Sequence, residues 1–262
     1  MPAGEAPAPP ARPPPFAWID VRLRAAPILV VLVLGTAVSI GGIALGRAAA
    51  HLAMPGVVAR HDWANAWAGH LGQLALGLAA IALVRRRIPG AYGLRRPEGK
   101  SYVGAAVAWG VVFGVVMTLV DFAPQLVARQ PPPGPFGLTP SNVAGWLGFE
   151  WIIAGSAEEV VFRGLLVSYL ATRVSGRVRL FGGELHVAGV VVAVLFALAH
   201  APNFAHRPFF AALGQQLYAL ALAILYAYWL DRSRSVLAPI VGHNVGNGVE
   251  YVIAFALQAA WG

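Results

Sequence analysis

The sequence predicts an all-α fold, a polytopic bundle of transmembrane helices with about seven spans and eight as the alternative. Two features of the composition support this prediction. Hydrophobic residues make up 58% of the 262 residues, and charged residues make up only 11%. Soluble domains carry about 25% charged residues, so soluble packing could not hide this much apolar surface. The third feature is a series of apolar runs close to the about 20 residues that a helix needs to cross a bilayer.

Seven such runs follow one another along the chain. They lie at residues 27–46, 65–84, 102–120, 143–171, 187–204, 209–230 and 236–260. The fourth run is too long for one upright span, so we expect it to be tilted or to begin at the membrane interface. All runs must be helical, because open strands leave backbone groups unpaired in lipid.

Basic residues are distributed unevenly between the two sides of this bundle. Of the 19 Lys and Arg residues, 14 lie on the side that holds the N-terminus and four on the other. This bias predicts a cytoplasmic N-terminus and, with seven spans, an external C-terminus. The net charge of +8 is therefore interpreted as a topology signal and not as a nucleic-acid footprint. We expect a multi-pass protein of a cell membrane, with a bacterial inner or plasma membrane favoured by the Arg-over-Lys usage.

Three parts of the chain differ in composition. Residues 1–19, which are rich in Pro and Ala, are predicted to form a disordered cytoplasmic tail. Residues 20–90 are predicted to contain two accessory transmembrane helices. Residues 91–262 are predicted to form the functional core, with the candidate functional residues in the last four spans. The absence of cysteine excludes a thiol nucleophile, disulfides and cysteine-ligated metal.

Several polar side chains lie inside the apolar runs, where insertion scales put the cost of one charge at about 2.5 to 3.5 kcal/mol. Such residues are functional candidates by default. They are Glu150, Glu158, Glu159, Arg163, His200, His243, Asn247 and Glu250.

Glu159 and Arg163 are four residues apart and share one helix face, which predicts a buried ion pair. Glu158 faces elsewhere, because successive helix residues diverge by about 100°. It is therefore a surplus carboxylate beside a neutral pair. Polar groups in lipid normally pair within the bundle, so we expect Glu158, His200, His243 and Asn247 to line one internal cavity.

Two chemistries suit these four side chains. Glu158 can deprotonate a water while the histidines and the amide stabilise an oxyanion. Alternatively, Glu158, His200 and His243 can hold a divalent ion such as zinc that activates the water. Both chemistries hydrolyse a carbonyl compound. Buried Glu and His also occur in proton pathways, so a transporter with a polar cavity remains a further alternative.

Three motifs in this order resemble the CPBP intramembrane metalloproteases, also called the CAAX prenyl protease type II or Abi family. They are EEVVFR at 158–163, FALAH at 196–200 and HNVGN at 243–247. The resemblance covers residues 90–260 and leaves out the first two predicted spans. It implies an intramembrane endopeptidase acting on a membrane-associated or C-terminal peptide segment, with a lipidated substrate as one option and no nucleic-acid partner.

The resemblance also implies roles for individual residues. Glu158 is implied to be the base that activates water, while His200, His243 and Asn247 hold the water and stabilise the oxyanion. The supporting residues are implied to be Glu159, Arg163 and Phe196. Zinc and a metal-free glutamate mechanism are both compatible with the resemblance, and so is a non-catalytic immunity or scaffold role.

The remaining polar residues of the membrane region carry no motif. Glu150 and Glu250 are interpreted as structural or cavity-lining. The histidines near span ends or in loops are interpreted as interfacial; they are His51, His61, His70, His186 and His206. Oligomeric state has no signal in the sequence.

Overall fold

A computed structural model describes residues 14–180 and 183–262. Its strands are β1 (Phe16–Arg22), β2 (Ser175–Leu180) and β3 (Gly183–His186). Its α-helices are α1 (Ala25–Ala53), α2 (Pro55–Val58), α3 (Asp62–Arg85), α4 (Val103–Asp121), α5 (Ala123–Ala128), α6 (Pro140–Gly148), α7 (Gly155–Glu159), α8 (Ser168–Ala171), α9 (Val187–Ala199), α10 (Phe209–Ser233) and α11 (Leu237–Trp261). Two π-helical segments, Phe149–Ala154 and Val160–Val167, link α6, α7 and α8, and a 3₁₀ segment, Ala201–Ala205, follows α9.

The predicted all-α bundle is confirmed, since each of the seven apolar runs coincides with a helix. In the described part of the chain, five helices are long and apolar enough to cross a membrane. These five are α1, α3, α4, α9 with its 3₁₀ extension, and α10. The two other long helical stretches, residues 140–171 and α11, are those that carry most of the polar side chains singled out above. The number of spans stays a prediction.

The fourth helical stretch, residues 140–171, lies at the centre of the bundle. Every residue of its second π segment is buried, and this segment contacts α1, α3, α9 and α10. A π segment adds a residue to a turn and is common at functional sites. Here two such segments flank the single α-helical turn that holds Glu158 and Glu159.

Small residues bring the outer helices close together. A Cβ on Gly46 of α1 would lie 2.0 Å from the carbonyl oxygen of Ala68 on α3. A Cβ on Gly110 of α4 would lie 2.9 Å from the carbonyl oxygen of Gly242 on α11. Backbones that approach this closely gain van der Waals contact, which drives helix association in membranes.

A three-stranded antiparallel sheet, in the order β1-β2-β3, is the part of the fold that the sequence analysis did not predict. Phe16 pairs with Leu180, and Arg177 pairs with His186. The prediction of a disordered tail is therefore wrong for residues 16–19, which form strand because β2 offers a partner edge. Residues 1–13 of that predicted tail lie outside the described residues.

The sheet joins chain segments that the predicted topology puts on the same side of the membrane. Strand β1 precedes the first span, and β2 and β3 connect the fourth span to the fifth. The central strand β2 is tied to α10 by an ion pair between Arg177 and Asp231. Within the sheet, the Arg179 Nε donates to Glu184 Oε1 at 3.0 Å.

Candidate active site

The buried ion pair predicted from sequence spacing is present at the centre of the bundle. Arg163 Nη1 donates to Glu159 Oε1 at 3.1 Å, and both side chains are almost fully buried. The same oxygen accepts a hydrogen bond from His243 Nδ1 at 2.9 Å. The Arg163 guanidinium also lies 4.5 Å from the ring centre of Phe196, a cation–π contact. The pair therefore holds a histidine from α11 and an aromatic ring from α9 in place.

Glu158 points away from this pair and into the space between helices. Its Oε2 lies 3.9 Å from His243 Nε2, and its Oε1 lies 3.7 Å from His70 Nε2. Both distances exceed the range of a direct hydrogen bond, so each gap suits a bridging group such as water. The carboxylate is thus flanked by two imidazoles, one from α11 and one from α3.

His200 directly follows α9, as the C-cap of that helix. Its Nδ1 donates to the Phe196 carbonyl oxygen at 2.9 Å, which fixes the ring and leaves Nε2 for the cavity. His243 is held in the same manner, since its Nδ1 is bound to Glu159. Each of these two imidazoles therefore offers Nε2 as its remaining polar atom.

Asn247 lies one helical turn beyond His243 on α11. Its Nδ2 donates to Glu150 Oε2 at 2.9 Å, and Glu150 is only 5% exposed. One N–H of the amide is occupied in this way, and the second is left over. Glu150, which was interpreted from the sequence as structural or cavity-lining, therefore orients the Asn247 amide.

A close approach between α7 and α11 brings these groups together. The Gly155 N–H donates to Asn244 Oδ1 at 2.9 Å. A Cβ at Gly155 would lie only 2.7 Å from the His243 Cβ, so a side chain does not fit there. Because Glu158 lies three residues further along this helix, the contact sets its distance from His243.

A polar cavity of about 400 Å³ is lined by all four residues that the sequence predicted to converge, Glu158, His200, His243 and Asn247. A second, mostly apolar cavity of about 420 Å³ lies beside it, between α1, α9 and the central helix. Glu158, His200 and Phe196 line both cavities. These three side chains form the wall that the two cavities share.

An ionic group from the loops and helix ends lines the same polar cavity. Arg207 Nη2 lies 2.8 Å from Asp121 Oδ2, which also accepts a hydrogen bond from the Tyr218 hydroxyl at 3.2 Å. Glu250 lines the cavity near these groups. Asp121 and Arg207 were not singled out from sequence, because one ends a helix and the other lies in a loop.

The predicted zinc ligands do not form a metal site in this arrangement. Across residues 14–180 and 183–262, no three His, Asp or Glu side chains are gathered closely enough to hold a metal ion. The chemistry of His200 and His243 would suit a metal, since each Nδ1 has an acceptor, as in many zinc-bound imidazoles. Their Nε2 atoms and the Glu158 carboxylate are nevertheless not assembled around a common point, so the zinc prediction stays a prediction.

His70 is a neighbour of Glu158 that the sequence analysis missed. It was interpreted as interfacial, yet it lies within α3 and its Nε2 faces Glu158. No motif surrounds it in the sequence. Only its position inside an apolar run, where a histidine is unusual, could have drawn attention to it.

The fold and this cavity together define a multi-pass membrane protein with an internal polar site. Residues 140–249 match the family model described as type II CAAX prenyl endopeptidase Rce1-like, which confirms the predicted family. Glu158, His200, His243 and Asn247 all lie within the matched region, and His70 lies outside it. No curated protein and no solved structure matches the chain. The family indicates a membrane protease whose substrate is a peptide.

Proposed function

We propose that the chain is an intramembrane endopeptidase that hydrolyses a peptide bond with a water activated by Glu158. One observation carries this proposal: the Glu158 carboxylate lies in a cavity between two imidazole Nε2 atoms, at 3.7 and 3.9 Å, and neither nitrogen has a hydrogen bond to any residue that the structure describes. The 3.9 Å between Glu158 and His243 Nε2 leaves room for a water that both groups can bind. His200 and Asn247 line the same cavity.

The proposed reaction needs only groups of this chain, water and the substrate. Glu158 takes a proton from the water, and the resulting hydroxide attacks the carbonyl carbon of the scissile bond. The negative charge that forms on the carbonyl oxygen is stabilised by the free N–H of Asn247. The Nε2 atoms of His200 and His243 donate to it when their rings carry a second proton, because each Nδ1–H already has an acceptor. The C–N bond then breaks, and Glu158 passes its proton to the leaving amine. The products are a carboxylic acid and an amine, which exchange a proton to give a carboxylate and an ammonium group, and Glu158 is regenerated as a carboxylate.

The wall shared by the two cavities supports a substrate with both polar and apolar parts. A peptide bond placed at Glu158 has the polar cavity on one side and the apolar cavity on the other. We propose a membrane-associated or C-terminal segment whose apolar portion, side chain or lipid, occupies the apolar cavity. We propose that this substrate is a protein of the same cell membrane, and that the N-terminus of the chain is cytoplasmic.

The direct test replaces Glu158 with the isosteric Gln in full-length protein reconstituted in vesicles with a membrane-protein extract. We expect peptide termini produced by the wild type to be absent with Glu158→Gln, a loss of at least about a hundredfold for a missing general base. Glu98→Gln is the matched control, because Glu98 is exposed and lies in a loop. Equal cleavage by wild type and Glu158→Gln would contradict the proposal and favour a binding or transport role.

Whether the reaction requires zinc is tested by measuring zinc content and cleavage rate after treatment with a chelator. Because the donor atoms are not gathered, we expect protein treated with a chelator to contain no zinc and to keep its cleavage rate. About one zinc per chain, with activity lost on chelation and restored by added zinc, would instead establish a metal-dependent mechanism.

A further inference from the structure

We infer that His70, on α3 and outside the region that matches the family model, is a positioning residue for Glu158. This inference rests on the proposed function and deepens it. It gives the accessory helix α3 a part in the site. Four observations on the described residues support it: the direction of the ring, its anchoring, its packing and the symmetry around the carboxylate.

The ring of His70 is oriented by the backbone of its own helix. Its Nδ1 donates to the Ala66 carbonyl oxygen, one turn earlier, at 3.1 Å. The nitrogen on the opposite side, Nε2, then faces Glu158 Oε1 at 3.7 Å. An imidazole anchored at one nitrogen presents the other at a defined place, an arrangement that orients catalytic and ligand histidines in many proteins.

Packing holds the ring as well. The His70 ring meets the edge of Phe149 with 4.8 Å between ring centres and an interplanar angle of 79°. Phe149 is buried and begins the first π segment, so the contact links α3 to the helix that carries Glu158. An exposed interfacial histidine would lack this contact with Phe149.

The carboxylate of Glu158 is placed symmetrically between two histidines. His70 Nε2 lies 3.7 Å from one oxygen, and His243 Nε2 lies 3.9 Å from the other. In both histidines, Nδ1 is already bound to an acceptor. We infer that His243 serves the oxygen on the side of α11. His70 holds the second oxygen through a water that donates to both Nε2 and the carboxylate, or directly when the ring carries a second proton, and so keeps the carboxylate from rotating.

Replacing His70 with Gln or with Asn distinguishes a positioning role from simple space filling. Gln can place its amide nitrogen near the position of Nε2, whereas Asn can place it only near Nδ1. His70→Gln therefore preserves a polar group facing Glu158, since its amide can bind the same water or donate to the carboxylate, and His70→Asn preserves only the link toward Ala66. His70→Leu fills the space and preserves neither.

The activity test uses a synthetic peptide with the sequence around the strongest cleavage site that disappears in Glu158→Gln. With full-length protein in vesicles, we expect kcat to fall by about tenfold to a hundredfold in His70→Asn and His70→Leu, the range typical of orienting partners. We expect His70→Gln to recover most of kcat, and KM to stay within about twofold throughout because His70 does not bind the substrate. Wild-type kcat in His70→Asn and His70→Leu, or equal losses in all three variants, would overturn the inference.

A second measurement does not depend on activity. Thermal unfolding of wild type, His70→Leu, Glu158→Gln and the double variant forms a double-mutant cycle. We expect the two single shifts in midpoint not to add, because each variant removes the same contact. Strict additivity would also overturn the inference.

The two proposals can fail separately. If Glu158→Gln abolishes cleavage and the His70 variants match the wild type, only the inference about His70 is wrong. If no cleavage depends on Glu158, the proposed function fails, and the positioning role falls with it.

Discussion

Two ionic clusters of this molecule use the same side-chain types in opposite surroundings. At the centre of the bundle, Arg163 and Glu159 are 1% and 0% exposed, and Glu159 also binds His243. At the sheet, Arg179 and Glu184 are 24% and 32% exposed. Desolvation makes a lone charge costly at the first site, and water and salt weaken the pair at the second. The comparison teaches that the stability lost when an ion pair is broken depends on how deeply the pair is buried.

The largest effect is expected from breaking the central cluster. Arg163→Ala leaves Glu159 as an uncompensated buried charge, which typically costs about 3 to 5 kcal/mol of stability. We therefore expect a large drop in folded yield and in the unfolding midpoint, measured by thermal scanning in detergent. A variant as stable as the wild type would show that the pair does not hold this helix.

The double variant Glu159→Gln/Arg163→Met is the control for that experiment. It removes both charges, so no unpaired charge is buried, while the Gln oxygen can still accept from His243 Nδ1. We expect most of the stability lost in Arg163→Ala to return. No recovery would mean that the guanidinium packing on Phe196, and not charge pairing, carries the stability.

A much smaller effect is expected at the sheet. Arg179→Ala removes two hydrogen bonds to Glu184, yet partly exposed pairs contribute only about 0 to 1 kcal/mol. We expect the unfolding midpoint to change by a few degrees at most, and by less in high salt. A loss comparable to that of Arg163→Ala would remove the contrast between the two clusters.

The smallest effect is a pH dependence near the sheet. His186 Nδ1 accepts from the Ala188 N–H and caps α9, which requires the neutral ring. Burial lowers the pKa of His186, and Arg177 and Arg234 act in the same direction, while Asp231 opposes them. The stability that the neutral ring contributes is therefore full above its unfolded pKa of about 6.5 and is lost as the pH falls below it. Asn is a good N-cap that does not titrate in this range, so we expect His186→Asn to flatten the stability profile below about pH 6.5.

Most of the helical framework could be predicted from the sequence, because the length of an apolar run is itself a physical requirement of the bilayer. The convergence of Glu158, His200, His243 and Asn247 could be predicted for a related reason, since polar side chains in lipid need one another. The Glu159–Arg163 pair follows from a spacing of four residues on a helix. In each case the prediction rests on a short sequence pattern that has a direct physical cause.

The sheet, the π segments and His70 could not be predicted in the same way. Arg177 and Arg179 alternate with Val178 in a strand-like pattern, but arginines beside a span also serve as topology signals. A π segment leaves no mark in a sequence as apolar as VVFRGLLV. His70 contacts Glu158 only through the packing of α3 against the central helix, a relationship between residues 88 positions apart in the printed sequence.

Strand β1 has a practical consequence for handling the protein. Because Phe16 and Trp18 pair with Leu180 and Val178, the start of the described chain is hydrogen-bonded to the connection between α8 and α9. Truncation through this strand would expose an unpaired edge of β2, and an exposed strand edge promotes aggregation. Affinity tags and fluorescent fusions are therefore best attached ahead of residue 14, with the strand itself left whole.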